Sequence, residues 1–407
     1  MTYKKIKLGE ISKVSSSKRI FAKQYVKSGV PFYRQKEIIN KKNKEELKDR
    51  LYINEELYTD IKKKYGVPKK GDILITAVGA TLGIPYVVED EVFYFKDGNL
   101  IWLSNFSEIV DSKYLYYWIT SDIGQKSMWA RVIGSAQPAL TIDTIKQFEI
   151  SIPSYETQCK VSSILSTYDD LIENNQKQIK LLEEAAQRIY KEWFVEFRFP
   201  GSENIKFIDG IPEDWVNDRV DSFFKVTIGK TPPRVEKQWF TKGMNGIPWI
   251  SISDMGNEGV FVLNTSEKLT SEAVIKHNVK VVPGGTILVS FKLTVGRVAI
   301  ATTDMCTNEA IAHFYINNPI LREYSYFYLK NFAYDTLGNT SSISKAVNSK
   351  IIKAMSFIMP SEEVLKAFSL RVNPILREIK IKQNQCSMLI EARDRLLPKL
   401  INGEIEV

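Results

Sequence analysis

Leu182-Glu183-Glu184-Ala185-Ala186-Gln187-Arg188 is followed, 207 positions further on, by Leu389-Ile390-Glu391-Ala392-Arg393-Asp394-Arg395. At that offset, and without a gap, residues 139–194 run onto 346–401. Ile145-Lys146 falls on Ile352-Lys353, Pro153-Ser154 on Pro360-Ser361, Glu156 on Glu363, Gln176 on Gln383 and Gln178 on Gln385. Shared helical composition scatters identities but does not hold one register across two structural contexts. The chain therefore contains two copies of one unit, and internal repetition of this kind dictates how the rest is read.

Both repeat-ending segments carry a helical pattern. In the first, apolar or small residues recur at Val161, Leu165, Tyr168, Ile172, Ile179, Leu182, Ala186, Ile189 and Trp193, with Asn175 interrupting. The second has Phe368, Val372, Ile375, Ile379, Cys386, Leu389, Leu396 and Leu400 in equivalent places, with Lys382 where the first has Asn175 and Arg393 also on the stripe. Alternating steps of three and four make a coiled-coil seam, and a polar residue within one sets register at some cost in stability. Matched register predicts that the two helices pair with each other rather than lie on unrelated cores. Pro153-Ser154 and Pro360-Ser361 predict their starts, with serine as N-cap, and Pro200-Gly201 and Asn402-Gly403 their ends.

Ahead of each helix the repeat is looser. Lys13-Val14-Ser15-Ser16-Ser17-Lys18 matches Lys225-Val226-Thr227-Ile228-Gly229-Lys230, and Pro31-Phe32-Tyr33 matches Pro248-Trp249-Ile250, each followed four residues later by an acid, Glu37 or Asp254. Gly71-Asp72-Ile73-Leu74-Ile75-Thr76 matches Gly285-Thr286-Ile287-Leu288-Val289-Ser290, with Gly83 and Gly296 beyond. Short β-branched and aromatic runs at Asp72–Ala77, Tyr86–Phe95, Leu100–Leu103, Trp249–Ser253, Thr286–Phe291 and Val298–Ala301 predict strands; Tyr114–Thr120 and Tyr324–Phe332 predict helices. The expected fold is α+β: strand-rich globular domains at 1–153 and 200–360, separated by long antiparallel coiled-coil helices at 154–199 and 361–407, in a pseudo-twofold internal repeat.

Charge is unevenly spread. The 407 residues carry a net +8, yet residues 1–70 hold 20 Lys/Arg against 8 Asp/Glu, so the remainder is net negative. Runs such as Lys41-Lys42-Asn43-Lys44 and Lys62-Lys63-Lys64 are ordinarily solvated faces, but a basic, Tyr-rich module also suits a phosphate backbone. The 3 cysteines and 2 histidines are too few and too scattered for a structural zinc site. Without a leader or a long apolar run, the expectation is a soluble, cytoplasmic chain.

No catalytic motif emerges. Gly229-Lys230-Thr231 looks like the end of a phosphate-binding loop, but Phe224 stands where the upstream glycine belongs and Pro232-Pro233 would break the following helix. There is no GxGxxG after a strand and no Asn-Pro-Pro-aromatic motif for methylating an amino base; Asn317-Asn318-Pro319 reads as a turn. Two flexible polar segments do occupy matching places: Arg131-Val132-Ile133-Gly134-Ser135-Ala136-Gln137-Pro138 and Gly338-Asn339-Thr340-Ser341-Ser342-Ile343-Ser344-Lys345. Gln, Arg and Lys reach base edges, and hydroxyls suit phosphates.

Tyr190-Lys191-Glu192-Trp193-Phe194-Val195-Glu196-Phe197 resembles the end-of-helix signature of type I restriction–modification specificity subunits. Arg393-Asp394-Arg395-Leu396-Leu397-Pro398-Lys399-Leu400-Ile401-Asn402-Gly403-Glu404-Ile405 resembles their C-terminal signature. Ile211-Pro212-Glu213-Asp214-Trp215 is similar to the opening of a target recognition domain and Gly134-Ser135-Ala136-Gln137-Pro138-Ala139-Leu140 to its close. The first unit departs in starting at Tyr3–Gly9 without a Pro-x-x-Trp lead.

The resemblance implies two target recognition domains, each reading half of a bipartite site in double-stranded DNA. It implies helices that set the unread spacer and dock two methyltransferase subunits, through which motor–nuclease subunits join. The chain itself would be non-catalytic, without cofactor or metal. Loop position and side-chain type then select Lys18, Arg34, Lys36, Arg131 and Gln137 in the first domain and Lys230, Arg234, Lys292, Ser344 and Lys345 in the second as DNA contacts. The pairing seam comprises Leu165, Ile172, Asn175, Ile179, Leu182, Ile189, Val372, Ile379, Lys382, Leu389 and Leu396. Two other readings are a coiled-coil scaffold that binds only proteins, which leaves the two diverged globular domains without a purpose, and a fused nuclease or methyltransferase, which lacks its motifs.

Overall fold

The computed structural model describes residues 3–45, 47, 49–132, 138–243, 245–257, 259–337 and 347–407. The chain packs as two units, Met1–Leu171 with Leu389–Val407, and Ile172–Met388.

In the first unit an antiparallel sheet has the order Lys13–Ser15, Leu100–Ser104, Ile73–Thr76, Pro85–Val87. Its central strands are buried along their whole length, so they read as continuous apolar runs rather than alternating ones. A second sheet runs Tyr25–Val26, Leu51–Ile53, Val30–Tyr33, Tyr94–Phe95, its last pair parallel. Lys4–Lys7 pairs with Glu149–Ile152. Helix Ser112–Thr120, capped by Asp111 accepting from the Tyr114 N–H, buries Tyr114, Leu115, Trp118 and Ile119. These side chains join Ile73, Ile75, Ile101 and Leu103 in one core that also takes in Val161, Leu165, Leu400 and Ile401 of the long helices.

The second unit repeats the strand order. One sheet runs Lys225–Ile228, Ile311–Tyr315, Ile287–Ser290, Val298–Ala301, with Phe261–Val262 added parallel at the edge. The other runs Phe240–Thr241, Glu267–Leu269, Ile247–Ile250, Cys306–Thr307. Val216–Arg219 pairs with Ser356–Met359 as Lys4–Lys7 does with Glu149–Ile152. Helix Pro319–Asn331 stands where Ser112–Thr120 stands in the first unit. Its core is aromatic: Phe194 lies 4.5 Å from Tyr324 and 4.8 Å from Phe368, which also meets Tyr190 and Trp193. Truncating Phe368 to alanine would cost about 3–5 kcal/mol.

The long helices span Tyr155–Phe194 and Glu362–Asn402. Ser154 caps the first, its Oγ accepting from the Thr157 N–H at 3.3 Å. That helix stops six residues before the expected Pro200-Gly201. Phe197 takes the left-handed conformation at φ 53, the Arg198 N–H closes onto the Glu192 carbonyl at 2.7 Å, and the Phe197 ring packs on Trp215 at 5.6 Å. The second ends as expected at Asn402, with Gly403 at φ 73 and the Glu404 N–H returning to the Lys399 carbonyl, a glycine C-cap.

Within the second unit the Cys386 thiol meets the Ile172 carbonyl while Trp193 meets Phe368; within the first, Asp169 meets Arg393. Within the second unit the two helical segments thus run in opposite directions. Leu165, Ile172, Val372 and Ile379 are buried, and Ile179, Leu182 and Ile189 pack partly buried on the second core. Leu389 and Leu396 are half-buried. Asn175 is buried too, whereas Lys382 reaches Glu378 one turn back at 3.3 Å.

Two expected strands are divided. Tyr86–Phe95 breaks at the exposed Glu89-Asp90, and its ends, Pro85–Val87 and Tyr94–Phe95, serve different sheets. Trp249–Ser253 gives way after Ile250 to helix Ile252–Asn257, because Asp254 accepts from the N–H and hydroxyl of Ser251 and the Ser251 Oγ accepts from the Asp254 N–H, a reciprocal N-terminal cap. Glu37 does the same for helix Gln35–Lys42 by accepting from the Arg34 N–H. The acids that follow both Pro-aromatic motifs are helix starters. Among the described residues no helix is long and apolar enough to cross a membrane.

Candidate nucleic-acid interface

Strand register gathers three loops at one end of each main sheet. In the first unit Ser15 pairs with Trp102 and Thr76 with Leu100. The loop leaving Ser15, the hairpin leaving Thr76 and the loop entering Leu100 are therefore neighbours, and the Ser16 hydroxyl donates to the Leu100 carbonyl at 2.8 Å. In the second unit Ile228 pairs with Ala312 and Ser290 with Ile311. The Lys230 N–H there donates to the Thr307 carbonyl and the Phe291 N–H to that of Ala310.

The hairpins are braced alike. The Thr76 hydroxyl donates to the Thr81 carbonyl and accepts from the Ile84 N–H at 2.8 Å. The Ser290 hydroxyl donates to the Thr294 carbonyl at 2.5 Å and accepts from the Arg297 N–H at 3.0 Å. Gly83 and Gly296 close each loop with an N–H to the Thr76 or Ser290 carbonyl. Side chains tie the hairpins to the capped helices: Gln35 donates to the Val78 carbonyl at 2.9 Å, and Arg297 to the Ile252 carbonyl at 2.6 Å. Sequence matching paired Thr76 with Ser290 without revealing this bracing; a hydroxyl ending a buried strand in both copies was the available signal.

The expected contacts divide by what holds them. Lys18, Lys36, Lys230 and Lys292 are exposed. Lys18 follows the Ser15 strand end, with its Nζ 5.3 Å from the Tyr65 ring centre. Lys36 lines a shallow cleft with Gln35, Asn40, Val78, Thr81 and Asn99. Lys230 and Lys292 each sit two residues beyond a strand end, on adjacent loops.

Two of the three arginines, by contrast, are paired with acids. Arg34 binds the buried Glu37 at 2.6 Å. Burial pushes the Glu37 carboxyl up, but hydrogen bonds from the Arg34 guanidinium and N–H outweigh it and leave the carboxyl below its ordinary value. Arg234 is held by Glu267 at 2.7 Å and lies 4.2 and 4.5 Å from the ring centres of Phe240 and Trp249. Arg131 is turned onto Phe148, 4.8 Å away, and donates to the Ser127 carbonyl. Gln137, Ser344 and Lys345 lie outside the described residues.

This face carries exposed cations and polar loops at the end of a buried sheet. His313 is fully buried between Thr227 and Thr307, 2.9 and 2.7 Å away, and burial lowers its pKa to about 4. Burial likewise pushes the Cys306 thiol up to about 12. A neutral imidazole and an un-ionised thiol inside the core are structural. Among the described residues no group of three or more His, Cys, Asp or Glu side chains is placed to hold a metal.

Residues 1–184 and 212–384 each match the family described as the type I restriction modification DNA specificity domain. The chain is 31% identical over 314 residues to the type I restriction enzyme MjaIX specificity subunit of Methanocaldococcus jannaschii, covering 73% of this chain and 70% of that protein. It is 24% identical over 412 residues to the HindI specificity subunit of Haemophilus influenzae, covering 83% and 87%. The crystal structure of a type I restriction–modification S subunit from M. genitalium shares the fold, with a TM-score of 0.62 at 14% identity over 98% of this chain and 96% of that one. Two matched domains, in the places where sequence and strand order repeat, make this chain a member of the type I restriction–modification specificity subunit family.

Proposed function

We propose that the chain confers DNA sequence specificity on a type I restriction–modification assembly, each unit reading one half of a bipartite site through the loop-bearing end of its main sheet. The observation that carries this reading is the pair of sheet ends: the same order of four shared strands and the same hairpin bracing, but different side chains on the loops. Residues 1–153 and 200–360 act as the reading domains. Exposed Lys18, Lys36, Lys230 and Lys292 supply phosphate contacts. Gln137, Ser344 and Lys345 join them as candidates from the matched polar segments, while Arg34, Arg131 and Arg234 shape the loops they belong to.

Residues 154–199 and 361–407 act as a pseudo-twofold, antiparallel coiled coil that sets the unread spacer and docks two methyltransferase subunits, through which motor–nuclease subunits join. The chain performs no chemistry itself and works in the cytoplasm. Methylome sequencing of cells carrying the system tests this: methylated adenines are expected in a split motif, and exchanging one reading domain is expected to change one half alone. A continuous motif, or one unaffected by the exchange, would leave only a protein-binding scaffold.

A further inference from the structure

Leu293 has an exposure and a backbone conformation that the fold does not account for. It is 92% exposed, at the tip of the hairpin between Ser290 and Gly296. Its φ of 61 lies in the left-handed region, which disfavours residues with a Cβ other than Asn and Asp. The first unit makes the comparison direct. With Thr76 set on Ser290, the equivalent residue is Gly79, at φ 76 and with open space where a Cβ would stand. A left-handed tip is thus part of the hairpin's design, and glycine is the residue that adopts it without strain. The second unit instead places there a large apolar side chain left almost wholly exposed among the described residues.

A strained, exposed leucine points to a partner that covers it. Its neighbours define that partner's chemistry. Lys292 precedes it and Lys230 stands on the adjacent loop, both exposed, so the surface facing Leu293 combines an apolar group with flanking negative charge. In duplex DNA the major groove admits a two-stranded ribbon, and the apolar group it displays is the thymine 5-methyl. Resting on the DNA-reading function proposed above, we infer that Leu293 reads a thymine methyl in the half-site of the second unit, with Lys292 and Lys230 on the adjoining phosphates. The first unit, with Gly79, makes no such contact.

The test uses the chain assembled with its methyltransferase subunits, as wild type, Leu293→Gly and Leu293→Asn, on duplexes carrying the methylated motif. Gly and Asn both accept the left-handed backbone, so neither variant need disturb the hairpin. Deoxyuridine replaces each thymine of the second half-site in turn, deleting the methyl and keeping the base pair. At one position the wild type should lose affinity by about 4-fold, the worth of one buried methyl group, and both variants should be indifferent to the change. Equal uracil sensitivity in wild type and variants overturns the inference, as does insensitivity at every thymine or a half-site without one. A complex that does not tell its motif from scrambled DNA removes the proposed function itself; one that does, with no Leu293-dependent uracil effect, removes this contact alone.

Discussion

Arg393 donates to Asp169 across 2.6 Å, so the charge that interrupts the apolar stripe of the second long helix is answered by a carboxylate on the first. Tyr117 donates to the other oxygen of Asp169, also at 2.6 Å, which ties the helices to the first reading domain. Burial pushes the guanidinium pKa down, but its bonds to Asp169 and Asp394 hold it above its ordinary value. Asp169→Asn keeps the shape and removes the charge, leaving a half-buried cation and a weakened acceptor. A loss of about 1–2 kcal/mol in urea unfolding is expected. The more exposed Asp394→Asn should cost less than about 0.5 kcal/mol; equal losses would mean that the interhelical bond carries no special weight.

Arg34 and Lys36, two residues apart, should separate stability from binding. Arg34→Ala strips the buried Glu37 of its cation and should cost about 2–3 kcal/mol, with little effect on the salt dependence of DNA affinity. Lys36→Ala should leave stability unchanged and lower the slope of log affinity against log salt by about one. Filter binding across a salt series, beside urea unfolding, reads both. A slope lowered by Arg34→Ala and not by Lys36→Ala would reverse the assignment.

His313 makes stability fall in mild acid. Its pKa drops from 6.5 to about 4 on folding, so between those values the unfolded chain holds a proton that the folded one lacks. Stability is therefore full above pH 6.5, declines as pH falls, and stops declining through this group below about 4. From pH 7 to 5.5 the expected loss is about 1 kcal/mol. His313→Gln should flatten that interval; an unchanged slope would place the titration elsewhere.

Leu293→Gly should stabilise the free chain by about 0.5–1 kcal/mol, because relief of left-handed strain exceeds the added flexibility and no packing is lost. A thermal-shift measurement checks it, and a lowered transition would show that the tip packs on the chain after all.

What could be read in advance follows the range of the interactions involved. The helical stripe and the glycine C-cap at Gly403 are written in spacings of a few residues, and the repeat in direct matches of residue type at one offset. The division of Tyr86–Phe95 between two sheets depends on partners at Ile73–Thr76 and Phe32-Tyr33, which no local pattern reveals. The early stop of the first helix depends on Phe197 docking onto Trp215, so the Pro200-Gly201 signal was overridden by packing. Among the chosen contacts, lysines and arginines looked equivalent in sequence. Only the fold shows that Glu267, 33 residues away, holds Arg234 while Lys230 and Lys292 stay exposed. No sequence pattern marks Leu293, because a left-handed leucine leaves no trace in composition.

The hydroxyl brace at Thr76 and Ser290 has an evolutionary corollary. It fixes the two strands of each hairpin from within, so the tip contributes little to folding. The stretch between the brace and the closing glycine is six residues in one copy, 77–82, and five in the other, 291–295, without a change in strand order. A one-residue difference in loop length there leaves the order of the shared strands unchanged between the two copies. A change of recognition can therefore be confined to a handful of codons while the braced strands stay as they are.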